Sequence, residues 1–288
     1  MVIDKNYGIS SAKVVYLVKK TLNIKKVGHI GTLDPLATGV LPLALGEATK
    51  TIPYITDLLK IYRFTIKWGE ETSTGDSEGE KTKTSLLRPT IVDIERVIKN
   101  YTGFVFQEPH KYSAIKINGK RAYELSRRGI DFSLKKRKIE IKSIHVTSIN
   151  NKDHASFKVT CGSGTYIRSL ARDIALDLGT YGHVVSLRRI KVGQFLENNC
   201  FSIKNNINKE DCELMNNSLL PIERVLNEIP VVIIKKKDVE KLKRGEPIIH
   251  NLFYEKEHET VQVKYRDKLV SLANIRGNYI LPRRNFNF

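Results

Sequence analysis

The sequence lacks the long apolar runs of a membrane protein. No run approaches the roughly 20 residues that a helix needs to span a bilayer. Residues 1–5 also show none of the basic-then-apolar pattern of a signal peptide. We therefore expect neither a membrane protein nor a secreted one.

Cysteine is scarce as well. Cys161, Cys200 and Cys212 are odd in number and include no Cys-x-x-Cys pair. This pattern argues against a disulfide scaffold and a zinc cluster, and it fits a reducing cytoplasm. A Walker loop and a dinucleotide fingerprint are also absent, because no Gly-Lys-Ser/Thr follows the Gly-Ser-Gly at 162–164. We therefore expect no nucleotide cofactor and no metal site.

Acidic residues are in deficit. The 288 residues contain 49 Lys and Arg against 31 Asp and Glu, which leaves a formal net charge of +18 spread over the whole chain. Such a surplus favours a polyanionic partner, with nucleic acid first and an anionic membrane surface second. The length is typical of about two domains, each large enough to bury a core.

Helical and strand-like segments alternate along the first two thirds of the chain. Apolar residues recur at helical spacing, next to capping residues or glycines, in segments 10–22, 90–100 and 167–178. Strand-like runs of apolar residues occupy segments 62–68, 157–161 and 184–190. By contrast, segment 69–84 is rich in Gly, Ser and Thr and carries five acidic residues, which predicts a mobile loop.

A composition change at Lys235-Lys236-Lys237 introduces the last segment of the chain. Short apolar runs follow at 261–263, 269–275 and 279–282, at a spacing typical of small barrels. The sequence therefore predicts a small β domain of about fifty residues at the C-terminus, near the lower size limit for independent stability.

Asp34 is the only carboxyl group between Asp4 and Glu47. The proline that follows it disfavours helix at Asp34, and nearby Gly31 and Gly39 permit a tight turn. We therefore expect Asp34 on a loop that presents its carboxylate. These residues alone leave two interpretations open, a functional carboxylate and a plain turn aspartate, because aspartate is common in turns.

Segment 107–129 interleaves aromatic and basic side chains: Tyr112, Lys116, Lys120, Arg121, Tyr123, Arg127 and Arg128. Aromatic rings stack on bases and cations bind phosphates, so this mixture suits looped or single-stranded RNA. A helix with a solvated basic face would show the same pattern. Both interpretations stay open on this segment alone.

Five motifs occur in an order that resembles the bacterial tRNA pseudouridine synthase B family. Together they cover most of residues 3–190. The motifs are GHIGTLDPLATGVLP at 28–42 with GEATK at 46–50, Tyr-Arg at 62–63, YSAIKINGKRAY at 112–123, GTYIRSL at 164–170 and GHVVSLRR at 182–189. The C-terminal segment resembles, more faintly, the PUA domain of that family.

This resemblance implies a fold and an activity. The fold would be α/β of the α+β type, with a mixed, mainly antiparallel sheet flanked by helices over residues 1–230 and a short PUA-like RNA-binding β domain over 231–288. The enzyme would convert the uridine at position 55 of the tRNA T loop into pseudouridine by base flipping. It would bind the T-stem loop as a cytoplasmic monomer and would need no cofactor.

The resemblance also assigns the reacting groups. It implies that Asp34 acts as the nucleophile, with Arg168 as its cationic partner. Tyr62 would stack on the flipped uridine and take part in proton transfer. Whether Asp34 attacks the sugar, attacks the base or removes a sugar proton stays open.

Three further residues would hold the substrate. The resemblance implies that Tyr166 and Leu187 line the uridine pocket and that His29 displaces or holds the flipped nucleotide. Core packing remains an alternative interpretation for Tyr166 and Leu187. For His29 the alternative is a loop histidine whose hydrogen bonds are satisfied within the protein.

The chain departs from the family pattern twice. Lys5-Asn6-Tyr7-Gly8 replaces a Lys-Pro-x-Gly motif, and Gln107-Glu108-Pro109-His110 replaces Gln-x-Pro-Pro. Each change removes one proline, so we expect altered loop rigidity and no loss of activity. A non-catalytic RNA-binding or RNA-folding protein is a rival function that fits the same charge and aromatic pattern. A second rival is a glycosylase with an aspartate nucleophile, which would release free uracil.

Overall fold

The structure is a computed structural model that describes residues 1–55, 58–203, 209–250 and 260–287. The helices are α1 (Ser11–Thr21), α2 (Ile91–Ile98), α3 (Ala122–Arg127), α4 (Ile167–Asp177), α5 (Lys209–Asn217) and α6 (Lys236–Lys243). The first strands are β1 (Val2–Lys5), β2 (Val27–His29), β3 (Thr38–Leu45), β4 (Lys60–Trp68), β5 (Glu70–Thr72), β6 (Lys81–Thr84), β7 (Gly103–Gln107), β8 (Lys116–Ile117) and β9 (Lys120–Arg121). The others are β10 (Arg137–Asn151), β11 (His154–Cys161), β12 (Gly182–Val192), β13 (Phe195–Leu196), β14 (Phe201–Ser202), β15 (Val231–Ile233), β16 (Ile248–Ile249), β17 (Thr260–Tyr265), β18 (Lys268–Arg276) and β19 (Tyr279–Asn285).

A ten-stranded sheet organises the larger part of the chain. Its strand order is β14-β1-β3-β12-β4-β11-β10-β7, with β2 beside β3 and β13 beside β12. Among the described strands of this sheet, the β1–β14 and β3–β12 pairs are parallel and the other pairs are antiparallel. The predicted mixed, mainly antiparallel sheet is therefore confirmed.

The main hydrophobic core lies on one face of this sheet. Strand β4 alternates because successive side chains point to opposite faces, so Phe64 and Trp68 are buried while Arg63 is exposed. The Phe157 ring on β11 stacks on Phe64, with ring centroids 5.2 Å apart, and meets the edge of Trp68 at 6.2 Å. Apolar residues of α1, α2 and α4 cover the same cluster. The helices predicted at these positions are confirmed.

Helix α1 leads the chain toward the Asp34 loop, and it has the cap that its sequence predicts. The Ser10 hydroxyl accepts the Lys13 backbone N–H at 3.1 Å. A side-chain oxygen at this position satisfies one of the N–H groups that a helix start leaves unpaired.

We expect Ser10→Ala to lower the free energy of unfolding by about 1 kcal/mol, because alanine cannot accept that N–H. Denaturant titration of the purified protein measures the change. Ser10→Asn is the matched control, since its amide oxygen caps equally well. Equal losses in both variants would contradict the role assigned to the cap.

The prediction of a mobile loop at 69–84 is wrong. Strands β5 and β6 form a hairpin there, and its turn packs on β12 through a Val184 N–H that donates to the Gly75 carbonyl at 3.1 Å. Two of the five acidic residues of the segment are paired with lysines: Glu70 contacts Lys81 at 3.0 Å, and Glu71 contacts Lys83 at 3.0 Å. Cross-strand charge pairs of this kind support a hairpin whose composition alone resembles a loop.

The C-terminal β domain is present. Its five strands are ordered β15-β17-β18-β19-β16 and enclose their own apolar cluster around Val261 and Val263. A second cluster joins this sheet to the rest of the chain through Ile30 and Leu226 on one side and Leu272 on the other. Among the described residues, no helix is long and apolar enough to cross a bilayer.

Candidate active site

Asp34 lies on a loop between β2 and β3, as predicted, and the loop is held on two sides. The Ser11 hydroxyl accepts the Leu33 N–H at 2.8 Å and donates to the Leu33 carbonyl at 2.9 Å. The Lys5 ammonium donates to the Pro35 carbonyl at 3.2 Å, and burial lowers the pKa of this ammonium to about 8. The Asp34 carboxylate is therefore presented by a fixed backbone.

Arg168 is the partner of this carboxylate. It is the second residue of α4 and is only 5% exposed. Its Nη2 lies 2.8 Å from Asp34 Oδ2 and also donates to the Tyr112 carbonyl at 2.9 Å. Its Nη1 donates to the Thr74 carbonyl at 2.7 Å. Two backbone carbonyls thus fix the guanidinium in the plane from which it contacts Asp34.

A second carboxylate, Asp76, shares the same arginine. Asp76 is 3% exposed, and its Oδ2 lies 3.4 Å from Arg168 Nη1. Its Oδ1 accepts the Thr74 hydroxyl and, at 3.1 Å, the Glu78 backbone N–H. Asp76 is not among the site residues predicted from the sequence, because its segment has the composition of a mobile loop. The only local signal was the run Thr74-Gly75-Asp76, which is typical of a tight turn.

Arg189 supplies another buried cation beneath the Asp34 loop. It is 1% exposed, and it donates to the Val40 carbonyl at 2.7 Å and to the Gly31 carbonyl at 2.9 Å. Gly39 makes this approach possible, because a Cβ there would lie 2.2 Å from the Arg189 carbonyl oxygen and φ is +100°. Burial raises the pKa of the Tyr62 hydroxyl, although Arg189 opposes that rise. The Tyr62 hydroxyl is therefore neutral at physiological pH.

A cleft with a volume of about 290 Å³ lies beside these groups, and Asp76 is not among the described residues that line it. The structure brings Asp34, Tyr62, Tyr166, Arg168 and Leu187 together around it. Tyr62 comes from β4 and Leu187 from the neighbouring β12, so the sheet forms one wall. The predicted members of the site converge, with one exception.

That exception is His29. It lies on β2 and is not among the described residues that line the cleft. Its Nδ1 is buried and has no hydrogen-bond partner within the described parts of the chain. Burial lowers the pKa of its imidazole, and the nearby Arg189 adds to this effect. Its predicted contact with the substrate stays a prediction.

Tyr166 is the residue before α4 and is anchored by Gln107. The Tyr166 N–H donates to Gln107 Oε1 at 2.8 Å, and Gln107 Nε2 donates back to the Tyr166 carbonyl at 3.1 Å. Burial raises the pKa of the Tyr166 hydroxyl. Gln107 therefore positions the wall of the cleft although it does not line it.

The fold and the site define the chain as a pseudouridine synthase, an isomerase of RNA nucleotides. A solved structure of a Cbf5–Nop10–Gar1 complex matches it with a TM-score of 0.71 and 25% identity, over 99% of this chain and 84% of the matched chain. A solved H/ACA RNP bound to a substrate RNA containing 2′-deoxyuridine shows the same fold at 24% identity, with a TM-score of 0.71 and coverage of 99% of this chain and 84% of that one.

The chain belongs to the TruB family. Residues 19–167 match the model of the TruB family pseudouridylate synthase N-terminal domain, and residues 168–227 match that of the tRNA pseudouridylate synthase B C-terminal domain. The tRNA pseudouridine synthase B of Caulobacter sp. strain K31 is 41% identical over 99% of this chain and 94% of the relative. That of Bradyrhizobium diazoefficiens is 42% identical over 100% of this chain and 85% of the relative.

Proposed function

We propose that this protein isomerises the uridine at position 55 of the tRNA T loop to pseudouridine, with Asp34 as the group that attacks the substrate. The Asp34–Arg168 contact of 2.8 Å at a cleft beside Tyr62 carries this proposal. The relatives named above are tRNA pseudouridine synthases, which supports tRNA as the substrate.

The reaction is an isomerisation, so its atoms balance without a co-substrate. The bond from uracil N1 to C1′ of the ribose breaks, the uracil rotates within the cleft, and C5 bonds to C1′. C5 then loses its proton and N1 gains one. A single carboxylate serves each of three routes, which are attack on C1′, attack on the base and removal of a sugar proton.

The electrostatics of the cleft favour a charged intermediate. Asp34 faces Arg168 directly, and the buried cation of Arg189 lies beneath the same loop. Fixed charges in a site of low dielectric stabilise developing charge without the reorganisation that water requires. Arg168 would therefore hold the Asp34 carboxylate in place before and after the carboxylate attacks.

The target uridine must leave its stack to reach Asp34. Flipping costs a few kcal/mol of lost stacking. The ring of Tyr62 in the cleft wall offers a replacement partner, and Tyr166 and Leu187 close the pocket around the base. The Tyr62 hydroxyl would relay the proton lost from C5, passing its own proton on as it accepts the one from C5.

A basic hairpin beside the cleft provides a surface for the RNA backbone. Strands β8 and β9 form it, and they expose Lys116, Lys120 and Arg121. Arg121 donates to the carbonyl of Ala114 at 2.7 Å, and Ala114 lines the cleft. The hairpin is thus tied directly to the site that would receive the flipped base.

The combined change Lys116→Ala and Lys120→Ala should flatten the salt dependence of tRNA binding. Each lost phosphate contact removes about 0.7–0.9 from the slope of log Kd against log salt. Filter binding across a sodium chloride series measures the slope. Lys99→Ala, an exposed lysine outside the cleft lining, is the control. An unchanged slope in the double variant would show that this hairpin does not contact phosphate.

The function is tested by incubating the purified protein with unmodified tRNA and mapping pseudouridine along the product. We expect one new pseudouridine, at position 55, and none in a tRNA with cytidine at that position. Chromatography of the same reaction separates the rivals, because a glycosylase releases free uracil and a non-catalytic binder releases nothing. Intact uridine at position 55 after treatment would overturn the proposal.

We further propose that residues 1–230 form the catalytic domain and residues 231–288 a PUA-like RNA-binding domain. The second sheet begins with β15 at Val231 and has a core of its own, which supports this division. We also propose that the protein acts as a monomer in the cytoplasm. The free state of Cys161, Cys200 and Cys212 is consistent with a reducing compartment.

A further inference from the structure

His110 stands where the family pattern has the second proline of Gln-x-Pro-Pro, and the structure gives it a defined place. Its side chain is buried, with 8% of the residue exposed. The ring packs against the turn of the β5–β6 hairpin so closely that a Cβ on Gly75 would lie 2.9 Å from His110 Nε2. The same hypothetical Gly75 Cβ would lie 3.5 Å from the Cβ of Arg168. The imidazole therefore sits beside both the hairpin and α4.

One residue, Tyr112, links His110 to the arginine of the site through its backbone. The Tyr112 N–H donates to His110 Nδ1 at 3.2 Å. The Tyr112 carbonyl accepts Arg168 Nη2 at 2.9 Å, and this same nitrogen contacts Asp34 Oδ2 at 2.8 Å. The path from His110 to Asp34 thus runs through the two backbone groups of Tyr112 and one guanidinium nitrogen.

We propose that His110 is a positioning residue for Arg168. By accepting the Tyr112 N–H, the imidazole fixes the orientation of the segment whose carbonyl holds Arg168 Nη2 against Asp34. In this chain a side-chain hydrogen bond restrains the loop at the position where the family pattern has a second, rigid proline ring. The proposal rests on the proposed function, because the placement of Arg168 against Asp34 affects the reaction rate only if Asp34 is the reacting group.

The charges around the ring fit this role. Burial, with Arg168 and Arg172 of α4 close by, lowers the pKa of the His110 imidazole to about 3. The ring is therefore neutral at physiological pH, and its Nδ1 keeps the lone pair that accepts the Tyr112 N–H. The proton must then be on Nε2. A cationic ring could not accept at Nδ1 and would repel Arg168.

Two variants of His110 separate positioning from packing. His110→Leu introduces an apolar side chain of similar bulk that has no hydrogen-bond acceptor. His110→Asn can accept an N–H two residues ahead, as asparagine commonly does in turns. His145→Leu, at an exposed histidine on β10, is the control.

We expect His110→Leu to slow single-turnover pseudouridine formation about 10- to 100-fold with enzyme in excess, since small misplacements of reacting groups cost this much. Its tRNA Kd should stay within about threefold of the native value, because the change misplaces Arg168 and not the RNA surface. His110→Asn should recover a rate within about threefold of native. A native rate in His110→Leu, or equal losses in both variants, would overturn the proposal.

Nitrogen-15 NMR of histidine-labelled native protein gives a readout that needs no variant to fold. We expect His110 Nδ1 to be unprotonated and Nε2 to be protonated throughout the pH range 5–8. A protonated Nδ1 in that range would contradict the proposal even if the enzyme is active. Conversely, an inactive native enzyme with the expected tautomer would overturn the proposed function while leaving the hydrogen bond in place.

Discussion

Asp34→Asn is expected to abolish pseudouridine formation while tRNA still binds. Asparagine has almost the same shape, so the loop held by Ser11 and Lys5 should keep its conformation. The amide, however, is a poor nucleophile and a poor base. We expect single-turnover rates to fall by about 10⁴-fold or more, as when other enzymes lose a reacting group. The Kd for tRNA should change by less than about threefold, because the basic surfaces are untouched.

Asp4→Asn is the matched control for this experiment. Asp4 is also a partly buried aspartate paired with an arginine, with its Oδ2 2.9 Å from Arg188 Nη2, but it does not line the cleft. Its variant should therefore retain near-native activity. If Asp34→Asn turned over at a rate close to native, the nucleophile would have to be another group. If it failed to bind tRNA, its inactivity would say nothing about chemistry.

The parts of this site that the sequence predicts are those with local determinants. The Asp34 loop follows from Pro35 and the surrounding glycines, because backbone preferences act within a few residues. Helix α1 follows from Ser10 and the apolar spacing behind it, since a cap is also a local interaction. Residue order alone left Asp34 as either a functional group or a turn residue, and the resemblance to a family was needed to choose.

The parts that the sequence could not predict depend on residues distant along the chain. Asp76 is a site residue because the hairpin folds back onto β12 and α4, which brings its carboxylate to Arg168. No short-range pattern encodes that contact. The prediction of a mobile loop at this hairpin is wrong because its lysine–glutamate pairs form only once β5 and β6 lie side by side.

His110 and His29 show a related limit. The loss of a proline at position 110 was visible in the sequence, but the burial of the replacing imidazole and its bond to Tyr112 were not. For His29, the motif position implies a contact with substrate, which stays a prediction, and the residue lies on β2 outside the described cleft lining. The environment of a side chain depends on residues that are distant along the chain, so a local motif does not define it.

Arg168→Met is expected to remove both activity and much of the stability. Methionine fills a similar apolar volume but leaves Asp76, which is 3% exposed, without its cation. Breaking a buried ion pair by removing one partner typically costs about 3–5 kcal/mol. We therefore expect a loss of that order in the free energy of unfolding, measured by denaturant titration, together with undetectable pseudouridine formation.

A double variant distinguishes the two roles of Arg168. Adding Asp76→Asn to Arg168→Met removes the uncompensated charge, and the new amide can still accept the Thr74 hydroxyl and the Glu78 N–H. Part of the lost stability should therefore return, because the isolated buried carboxylate is gone, although the Thr74 and Tyr112 carbonyls still lack their Arg168 donors. Activity should not return, since Asp34 would still lack the cation that lies 2.8 Å away in the native protein. Recovery of activity with stability would mean that Arg168 serves only to fold the site, and stability that stayed low would mean that Asp76 is not the group it neutralises.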